Sequence, residues 1–340
     1  MATIVDVARR AGVSVSTVSH VVNKTRHVSR STQDAVEAAI AEVGYMPNSL
    51  ARSLKRASTD SVGIAISAMT NPYFSDIICA IESECSRLGL MVFLSDTQDN
   101  PAHELNVVRA LHQRRVDGII LATSGDSDGL AIAYLKENRI PFVLVDRLVR
   151  SDCDQVGVQN KTSMQGLVEH LLSHGHRRVG YISGQPGFTT TKERTAGYRA
   201  ALKNAGLEFD AALVTPPSSR TDAAAGATLR LLDLPDPPTA IAAGNNMTLI
   251  GAMHALREKG LRVPTDVALA GFDDFEWADY FEPRLTVVAQ PCEAIGREAV
   301  ALLIERIGDL AGQRRTIRLK TRLVIRASCG CPDHSSAKRS

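Results

Sequence analysis

Three polar side chains that can make directional hydrogen bonds stand directly after short runs of apolar and small residues. They are Asp146, Asn245 and Asp273. Such runs predict buried parallel strands, and ligands bind in open α/β sheets just outside the carboxyl ends of those strands. The pattern therefore predicts a cleft that binds a small polar molecule.

Binding is favoured over catalysis because signatures of enzyme cofactors are missing. The sequence has no Gly-x-Gly-x-x-Gly fingerprint after the first strand of this region and no P-loop lysine motif. We therefore predict that the protein is not an enzyme. A sugar receptor or transport-binding protein is an alternative, because an α/β body with such a cleft would serve it. The N-terminus, however, has no signal-peptide pattern.

Histidines and cysteines are a further group with metal chemistry. The spacing of His170, His174 and His176 could converge on a metal, but these residues stand at a predicted helix end, where histidines satisfy carbonyl groups. The six cysteines show no disulfide framework, and the pair Cys329 and Cys331 cannot by itself supply four ligands. We predict no metal and no cofactor.

The N-terminal residues have the pattern of two short helices joined by a tight turn. Gly12 suits the position after the first helix, and Ser14 can cap the second. The second helix has Val15, Val18 and Val22 on one face and small polar residues on the other. This arrangement is typical of a helix-turn-helix, whose second helix enters the major groove of DNA. The apolar face of the first helix comprises Ile4, Val7, Ala8 and Ala11.

The outer face of the second helix is predicted to contact DNA. Val15, Ser16 and His20 are placed to touch base edges, because valine offers methyl groups and the other two can donate or accept. An ordinary solvated helix pair is the alternative. Charge favours DNA, since residues 1–59 carry eight Lys/Arg against four Asp/Glu, and the remainder carries 31 against 33. The predicted phosphate or flanking contacts are Thr17, Asn23 and Arg26, and Thr3 and Ser14 complete the predicted DNA-binding set.

Beyond this region the chain changes character twice. A third helix is predicted over Ser31–Val43, and a hinge helix of eight or so residues follows Asn48, too short to be stable alone. From Val62 onward, β-rich runs alternate with helix-length segments, which is typical of βαβ units. The fold class is α/β, with an all-α helix-turn-helix head and a two-lobed body of Rossmann-like parallel sheets. The predicted strands are Val62–Ile66, Met91–Ser95, Gly118–Ala122, Phe142–Val145, Val179–Ser183, Thr239–Ala243 and Val267–Phe272.

The N-terminal motif also matches a known signature residue by residue. It reads Thr3-Ile-Val-Asp-Val-Ala-Arg-Arg-Ala-Gly-Val-Ser-Val-Ser-Thr-Val-Ser-His-Val-Val-Asn23, followed by Val28-Ser29, Tyr45-Met-Pro-Asn48 and Leu50-Ala-Arg-Ser-Leu54. This motif closely resembles that of the lactose-repressor (LacI/GalR) family of transcription regulators, and the head is most similar to ribose and purine repressors. The resemblance implies that hinge helices pair across a dimer and insert a leucine, here Leu54 beside Lys55, into the minor groove. An apolar wedge among cations is how minor-groove proteins bend DNA; packing of Leu54 on the head is the alternative.

The same resemblance implies that the body is similar to a periplasmic sugar-binding protein, with an effector cleft between its lobes. It makes Asp273 and Arg194 the strongest predicted contacts, because a carboxylate and a guanidinium can bracket a polyol or sugar acid. Tyr73 and Phe74 offer aromatic faces, and Trp277 offers a second one. The full predicted effector set is Tyr73, Phe74, Asp146, Thr190, Arg194, Asn245, Asp273 and Trp277.

Two short runs depart from the family pattern. The usual Thr-Asn-Asp reads Gly244-Asn-Asn246 here, and the usual Asp-Asn reads Gln159-Asn160. Both changes remove a carboxylate near the predicted cleft rim. The predicted effector is a sugar or sugar acid, with a purine or other nucleobase as the alternative.

The predicted function is a sequence-specific repressor of a carbohydrate-utilisation operon, whose operator affinity is switched by the effector. Its predicted partners are a near-palindromic double-stranded DNA operator, the small molecule, and a second copy in a homodimer, with no membrane. No apolar run approaches the roughly 20 residues of a membrane helix, so we expect a cytoplasmic protein. The predicted domains are a head at 1–46, a hinge at 47–60 and a body at 61–340, with an N-lobe at about 61–160 and 290–325 and a C-lobe at about 161–289.

Overall fold

The computed structural model describes residues 2–23, 25–45, 58–67, 71–125, 129–215 and 220–331. The chain forms two compact units, Met1–Thr59 and Asp60–Ser340, which we call the head and the body. Most of the predicted hinge, including Leu54 and Lys55, lies outside the described residues. No helix within the described ranges has the length and apolar character that a membrane span needs.

Three helices build the head around a small aliphatic core. Gly12 ends the first helix in the left-handed region at φ 66° and hydrogen-bonds back to Ala8 O, which confirms the predicted tight turn. The side chain of Ser14 accepts a hydrogen bond from Thr17 N at 3.0 Å and so caps the second helix. The helices are α1 Ile4–Ala11, α2 Val15–Asn23 and α3 Arg30–Val43. The buried core residues are Val7, Ala8, Val18, Val36 and Ala39.

Two six-stranded sheets form the body. The first contains β1 Ser61–Ile66, β2 Met91–Asp96, β3 Gly118–Leu121, β4 Phe142–Val145, β5 Asp154–Val158 and β11 Thr316–Leu319. The second contains β6 Val179–Ile182, β7 Val214–Thr215, β8 Ala240–Ala243, β9 Ala268–Phe272, β10 Thr286–Ala289 and β12 Arg322–Val324.

The two sheets have the same strand order. Their strand orders are β11-β5-β4-β3-β1-β2 and β12-β10-β9-β8-β6-β7. Neighbouring strands run parallel except β10 and β12, which are antiparallel. Strands β3, β4, β8 and β9 are buried throughout, because helices cover both faces of a parallel sheet and its strands are then continuously apolar. We call the two halves the first lobe and the second lobe.

The helices of the body lie between consecutive strands, as βαβ units require. Helix α4 (Pro72–Arg87) packs on α11 (Cys292–Gly308) in the first lobe. In the second lobe, α7 (Asn160–Ser173) packs on α8 (Thr189–Asn204), and α9 (Thr221–Leu232) packs on α10 (Asn246–Glu258). Short 3₁₀ helices occupy Ala211–Leu213 and Glu276–Tyr280. The helices are α4 Pro72–Arg87, α5 Pro101–Gln113, α6 Leu130–Glu137, α7 Asn160–Ser173, α8 Thr189–Asn204, α9 Thr221–Leu232, α10 Asn246–Glu258 and α11 Cys292–Gly308.

The structure confirms the predicted fold class and corrects two details. All seven predicted strands are present, but β5, β7, β10, β11 and β12 were not predicted. The predicted N-lobe included residues 322–324, whereas β12 pairs with β10 in the second sheet, with Val324 opposite Val287. Only Lys320 and Thr321 separate β11 of the first sheet from β12 of the second. A boundary at residue 325 therefore fell a few residues too late.

Candidate ligand cavity and nucleic-acid interface

A cavity of about 590 Å³ lies where the strands of both sheets present their carboxyl ends. This is the position at which open α/β sheets bind ligands, and the volume falls in the range of small-molecule sites. Seven of the eight predicted effector residues line it. They are Tyr73, Phe74, Asp146, Thr190, Arg194, Asn245 and Asp273.

Two aspartates occupy equivalent positions in the two lobes. Asp146 follows β4 and Asp273 follows β9, with φ of 65° and 71° in the left-handed region. The backbone N–H of each donates at 2.9 Å to a carbonyl of the next strand, Val156 O for Asp146 and Val288 O for Asp273. A non-glycine residue held in this region costs on the order of 1–3 kcal/mol, and such strain concentrates at functional sites.

A chain of polar contacts joins these aspartates across the lobes, with the single Tyr73 proton shared between two acceptors. The Tyr73 hydroxyl lies 2.8 Å from Asp146 Oδ1 and 3.0 Å from Gln290 Oε1. Gln290 Nε2 donates to Asp273 Oδ1 at 2.6 Å. Burial, with a smaller contribution from the charge of Asp146, raises the pKa of Tyr73 well above its ordinary value of 10. The hydroxyl therefore keeps its proton and acts as a donor.

Arg194 neutralises the aspartate of the second lobe. Its Nε donates to Asn160 Oδ1 at 2.8 Å, its Nη1 donates to Gly244 O at 2.7 Å, and Nη1 lies 3.7 Å from Asp273 Oδ2. The guanidinium stacks on the Phe272 ring, with Cζ 3.7 Å from the centroid. Burial raises the pKa of Asp273, and the Arg194 charge opposes that rise. A guanidinium held on four sides is pre-organised for a ligand.

Arg147 is a cavity residue that sequence reasoning missed. Its Nη1 donates to Asp99 Oδ1 at 2.5 Å and to Thr123 O at 3.0 Å, and its Nε lies 3.8 Å from Asp146 Oδ2. Its Cζ also lies 3.8 Å above the Phe188 ring centroid, so a side chain of the first lobe stacks on a residue of the second. Its place directly after Asp146 at a strand end was the available signal.

One departure from the family pattern, Asn246, acquires a physical reason. Asn246 is fully buried, and its Nδ2 donates at 2.7 Å to Asn71 Oδ1, which also accepts from Tyr73 N at the start of α4. A carboxylate at position 246 would lack this donor. Asn160, which keeps the family residue beside the changed Gln159, uses its amide in a similar way. It uses both ends of that amide, accepting from Arg194 and donating to Glu193 Oε2 at 3.1 Å. Amides at these places therefore join elements through donor and acceptor together.

One predicted effector residue has another partner, and one lies elsewhere. The Asn245 side chain caps α10 by accepting from Thr248 N at 2.8 Å. Trp277 does not line the cavity, contrary to prediction. The 3₁₀ helix after β9 turns the chain away, and this indole packs on Phe275 and Phe281 with ring centroids 4.5 and 5.8 Å distant. It remains 41% exposed.

In the head, the predicted DNA residues fall into two groups. Val15, Ser16 and Arg26 are exposed, and Val15 keeps 41% of its surface in solvent. Others bond within the head: His20 Nδ1 lies 2.9 Å from Thr25 Oγ1, and Thr3 caps α1 through Asp6. Ser14 bonds Thr17, and Asn23 Nδ2 donates to Ser19 O at 2.8 Å. These bonds occupy the side chains within the head, whereas Val15 and Ser16 in the first turn of α2 stay exposed.

A helix-turn-helix head and a two-lobed body around a polar cavity define a ligand-responsive DNA-binding protein. The family model for bacterial regulatory proteins of the lacI family matches residues 3–48, and that for a periplasmic binding protein-like domain matches residues 168–329. Together with the relatives described next, these matches show that the chain belongs to the lacI family of bacterial regulatory proteins.

The relatives match along nearly the whole chain. The chain is 37% identical over 329 residues, 96% of its length, to the HTH-type transcriptional repressor PurR of Mannheimia succiniciproducens, covering 98% of that protein. Among solved structures, the lac repressor dimer bound to operator and the anti-inducer ONPF has a TM-score of 0.86 and 30% identity, with coverage of 96% and 99%. The complex of the regulator CelR with cellobiose has a TM-score of 0.74 and 32% identity, with coverage of 96% and 100%.

The protein is therefore a transcriptional repressor of this family, and its relatives are repressors rather than enzymes. Repressors of this family bind DNA operators and small-molecule effectors. One string at 125–129, Gly-Asp-Ser-Asp-Gly, has the spacing of a nucleophile elbow. Its central residues, 126–128, lie outside the described ranges, and three letters alone carry no catalytic assignment.

Proposed function

We propose that the effector is a sugar or sugar acid and that the chain represses a carbohydrate-utilisation operon. The observation that carries this proposal is the pairing of charges in the cavity. Asp146 and Asp273 each lie within 4 Å of a guanidinium, from Arg147 and Arg194 respectively. Carboxylates accept from hydroxyl groups and guanidinium groups donate to them, so two such pairs suit neighbouring hydroxyls or a sugar carboxylate.

A purine is the second candidate, favoured by the relatives that are named PurR. A flat nucleobase would use aromatic faces in the cavity. The Phe188 face is covered by the Arg147 guanidinium, which lies 3.8 Å above it. A nucleobase would have to displace this stacking, whereas a sugar could use the charged groups in place. This difference is why we put the sugar first.

A binding screen separates the candidates. Thermal shift and calorimetry on the full chain would use pentoses, hexoses, sugar acids, hypoxanthine and guanine. We expect one sugar or sugar acid to raise the unfolding midpoint. Asp273→Asn should abolish that shift, and Trp277→Phe, an aromatic change outside the cavity, should preserve it. Stabilisation by a purine alone would overturn the sugar proposal while leaving the repressor assignment intact.

For the head, we propose that Val15, Ser16 and His20 read bases and that Thr3, Ser14, Thr17, Asn23 and Arg26 position the helix on DNA. A duplex selected from a random library by the full chain would serve as operator. Ser16→Ala and Val15→Ala should lower its affinity by about 1–3 kcal/mol, the usual discrimination of one base contact. Gln33→Ala, an exposed change on α3, should leave affinity unchanged. Equal losses in all three variants would refute this assignment of base contacts.

We also propose that Leu54, with Lys55, enters the minor groove. This rests on sequence, because both residues lie outside the described ranges. A Leu54→Gly variant should reduce operator bending, measured by energy transfer between dyes at the duplex ends, more than Lys55→Gln does. Unchanged bending in the Leu54→Gly variant would refute the wedge.

A second copy is the proposed partner of the body. The edge strand β2 exposes three large apolar side chains, with Met91 65%, Phe93 39% and Leu94 37% exposed. Exposed apolar edge strands invite pairing. A homodimer on a near-palindromic operator would use this surface. The proposed domains are a head at 1–46, a hinge at 47–60 and a body at 61–340. The protein would act on DNA in the cytoplasm. Met91→Glu should shift the sedimentation of the chain from dimer to monomer; an unshifted dimer would place the interface elsewhere.

A further inference from the structure

Two histidines of α7 and two cysteines of the C-terminal segment come together on the second lobe. The donor atoms of His170, Cys329 and Cys331 all lie within 4.8 Å of one another. His174 adds a fourth donor, with Nε2 2.9 Å from Cys331 Sγ. We call these four residues the His/Cys cluster. The sequence interpretation weighed the histidines and the Cys-Gly-Cys pair separately, and nothing in their spacing joins them.

The separations match the edges of a tetrahedral metal site. Zinc bonds of about 2.3 Å to sulfur and about 2.05 Å to nitrogen put neighbouring S and N ligands about 3.6 Å apart. His170 Nε2 lies 3.3 Å from Cys329 Sγ and 3.7 Å from Cys331 Sγ. The 2.9 Å contact between His174 Nε2 and Cys331 Sγ must lengthen by about 0.7 Å to reach that value, and the His174 ring is exposed on its outer side.

Hydrogen bonds around the cluster orient its ligands. His174 Nδ1 bonds His170 O at 3.0 Å, which leaves its Nε2 directed at the thiols. Metal-binding histidines usually engage their other ring nitrogen in this way. Thr286 Oγ1 lies 3.1 Å from the buried Cys329 Sγ.

The backbone also suits a chelate. Gly330 has φ 92°, a left-handed conformation that side chains rarely adopt. This turn lets the residues on either side present their sulfur atoms to the same helix. His176, by contrast, bonds Thr239 Oγ1 at 2.9 Å and takes no part.

We propose that the His/Cys cluster binds one divalent cation of the zinc class and thereby ties the C-terminal segment to α7. Two thiolates with two imidazoles form a ligand set that binds zinc in preference to calcium or magnesium. Binding releases the protons of the two thiols and involves no redox step. The exposed His174 provides the entry side, and closure of all four positions makes the site structural rather than catalytic.

Cobalt provides the direct test. The full chain, reduced and stripped with a chelator, would be titrated with Co²⁺ and then with Zn²⁺. We expect about one Co²⁺ per chain, with the visible bands of tetrahedral cobalt and a thiolate-to-cobalt charge-transfer band. Zn²⁺ should then bleach both. Weak octahedral spectra, or no binding, would overturn the proposal.

Variants assign the signal to the cluster. Cys331→Ser and His174→Gln alter residues outside the core, so both should fold, and each should weaken or abolish the tetrahedral spectrum. Cys79→Ser and His176→Gln are the matched controls and should retain it. Zn²⁺ should also slow alkylation of Cys331 but not of the exposed Cys79. A spectrum that survives in Cys331→Ser, or that disappears in Cys79→Ser, would place the metal elsewhere.

Discussion

The two lobes place an aspartate at the same point of the same sheet order, yet they balance its charge differently. Asp146 is followed by Arg147, which enters the cavity and stacks on Phe188 of the other lobe. Asp273 is followed by Asp274, whose Oδ1 pairs with Arg326 at 3.0 Å. The first lobe therefore uses the next residue in the chain, and the second lobe must draw its cation from elsewhere.

That cation is Arg194, which α8 supplies within the same lobe. Its hydrogen-bond partners Asn160 and Gly244 both belong to the second lobe. Arg147, by contrast, has neighbours in both lobes, among them Asp99 in the first and Phe188 in the second. We infer that Arg194 stabilises the fold of the second lobe in addition to lining the cavity. The contacts of Arg147 depend instead on the relative position of the two lobes. Four substitutions test this division.

Arg194→Met should have the largest effect. It leaves the buried Asp273 without its cation and leaves Gly244 O without a donor, a change that typically costs about 3–5 kcal/mol. Urea unfolding followed by circular dichroism would measure it. Adding Asp273→Asn should recover part of the loss, because the orphaned charge is then removed. A loss below about 1 kcal/mol would show that Arg194 is not needed for stability.

Arg147→Met should cost less stability, about 1–3 kcal/mol, because it removes hydrogen bonds to Asp99 and Thr123 O while keeping a stem of similar length on Phe188. Its greater consequence should be a weaker response of operator affinity to the effector. Fluorescence anisotropy of the operator with and without effector would measure this. If Arg147→Met destabilises the chain more than Arg194→Met does, the division between the lobes is wrong.

Tyr73→Phe removes the hydroxyl between Asp146 and Gln290 and should cost about 1 kcal/mol, the usual net value of a buried hydrogen bond. The ring remains, so the packing of α4 is preserved. Effector calorimetry should show a lower affinity, since the link between the aspartates is broken. Tyr134→Phe, which removes a hydroxyl that bonds His112 outside the cavity, is the matched control. An affinity unchanged in Tyr73→Phe would remove this bridge from the mechanism.

Asp274→Asn should have the smallest effect, below about 1 kcal/mol, because Arg326 keeps its second bond to Asp279 Oδ1 at 2.6 Å. Effector affinity should not change, since Asp274 faces away from the cavity. A measurable loss of effector binding would mean that the residue after the second aspartate acts as Arg147 does. The contrast drawn between the lobes would then fail.

Sequence reasoning was most successful where the signal was local. The caps and turn of α1 and α2, seven of the twelve strands, and the polar residues that follow β4, β8 and β9 all follow from patterns spanning a few positions. Gln290 was missed because β10 was missed, although it stands directly after that strand like the others. Trp277 was offered as an aromatic face for the effector on residue type alone, and its packing on Phe275 and Phe281 could not be read from the sequence.

By itself, the sequence determined the helix-turn-helix, the alternation of strands and helices, and the polar residues at strand ends. These depend on propensities and hydrophobic periodicity, which act between neighbours in the chain. Only the tertiary structure decided which charges share a cavity and which histidines and cysteines come together. His170 and Cys329 are 159 positions apart, and Tyr73 and Asp146 are 73 apart. Such contacts depend on how whole layers pack, and no local pattern encodes that packing.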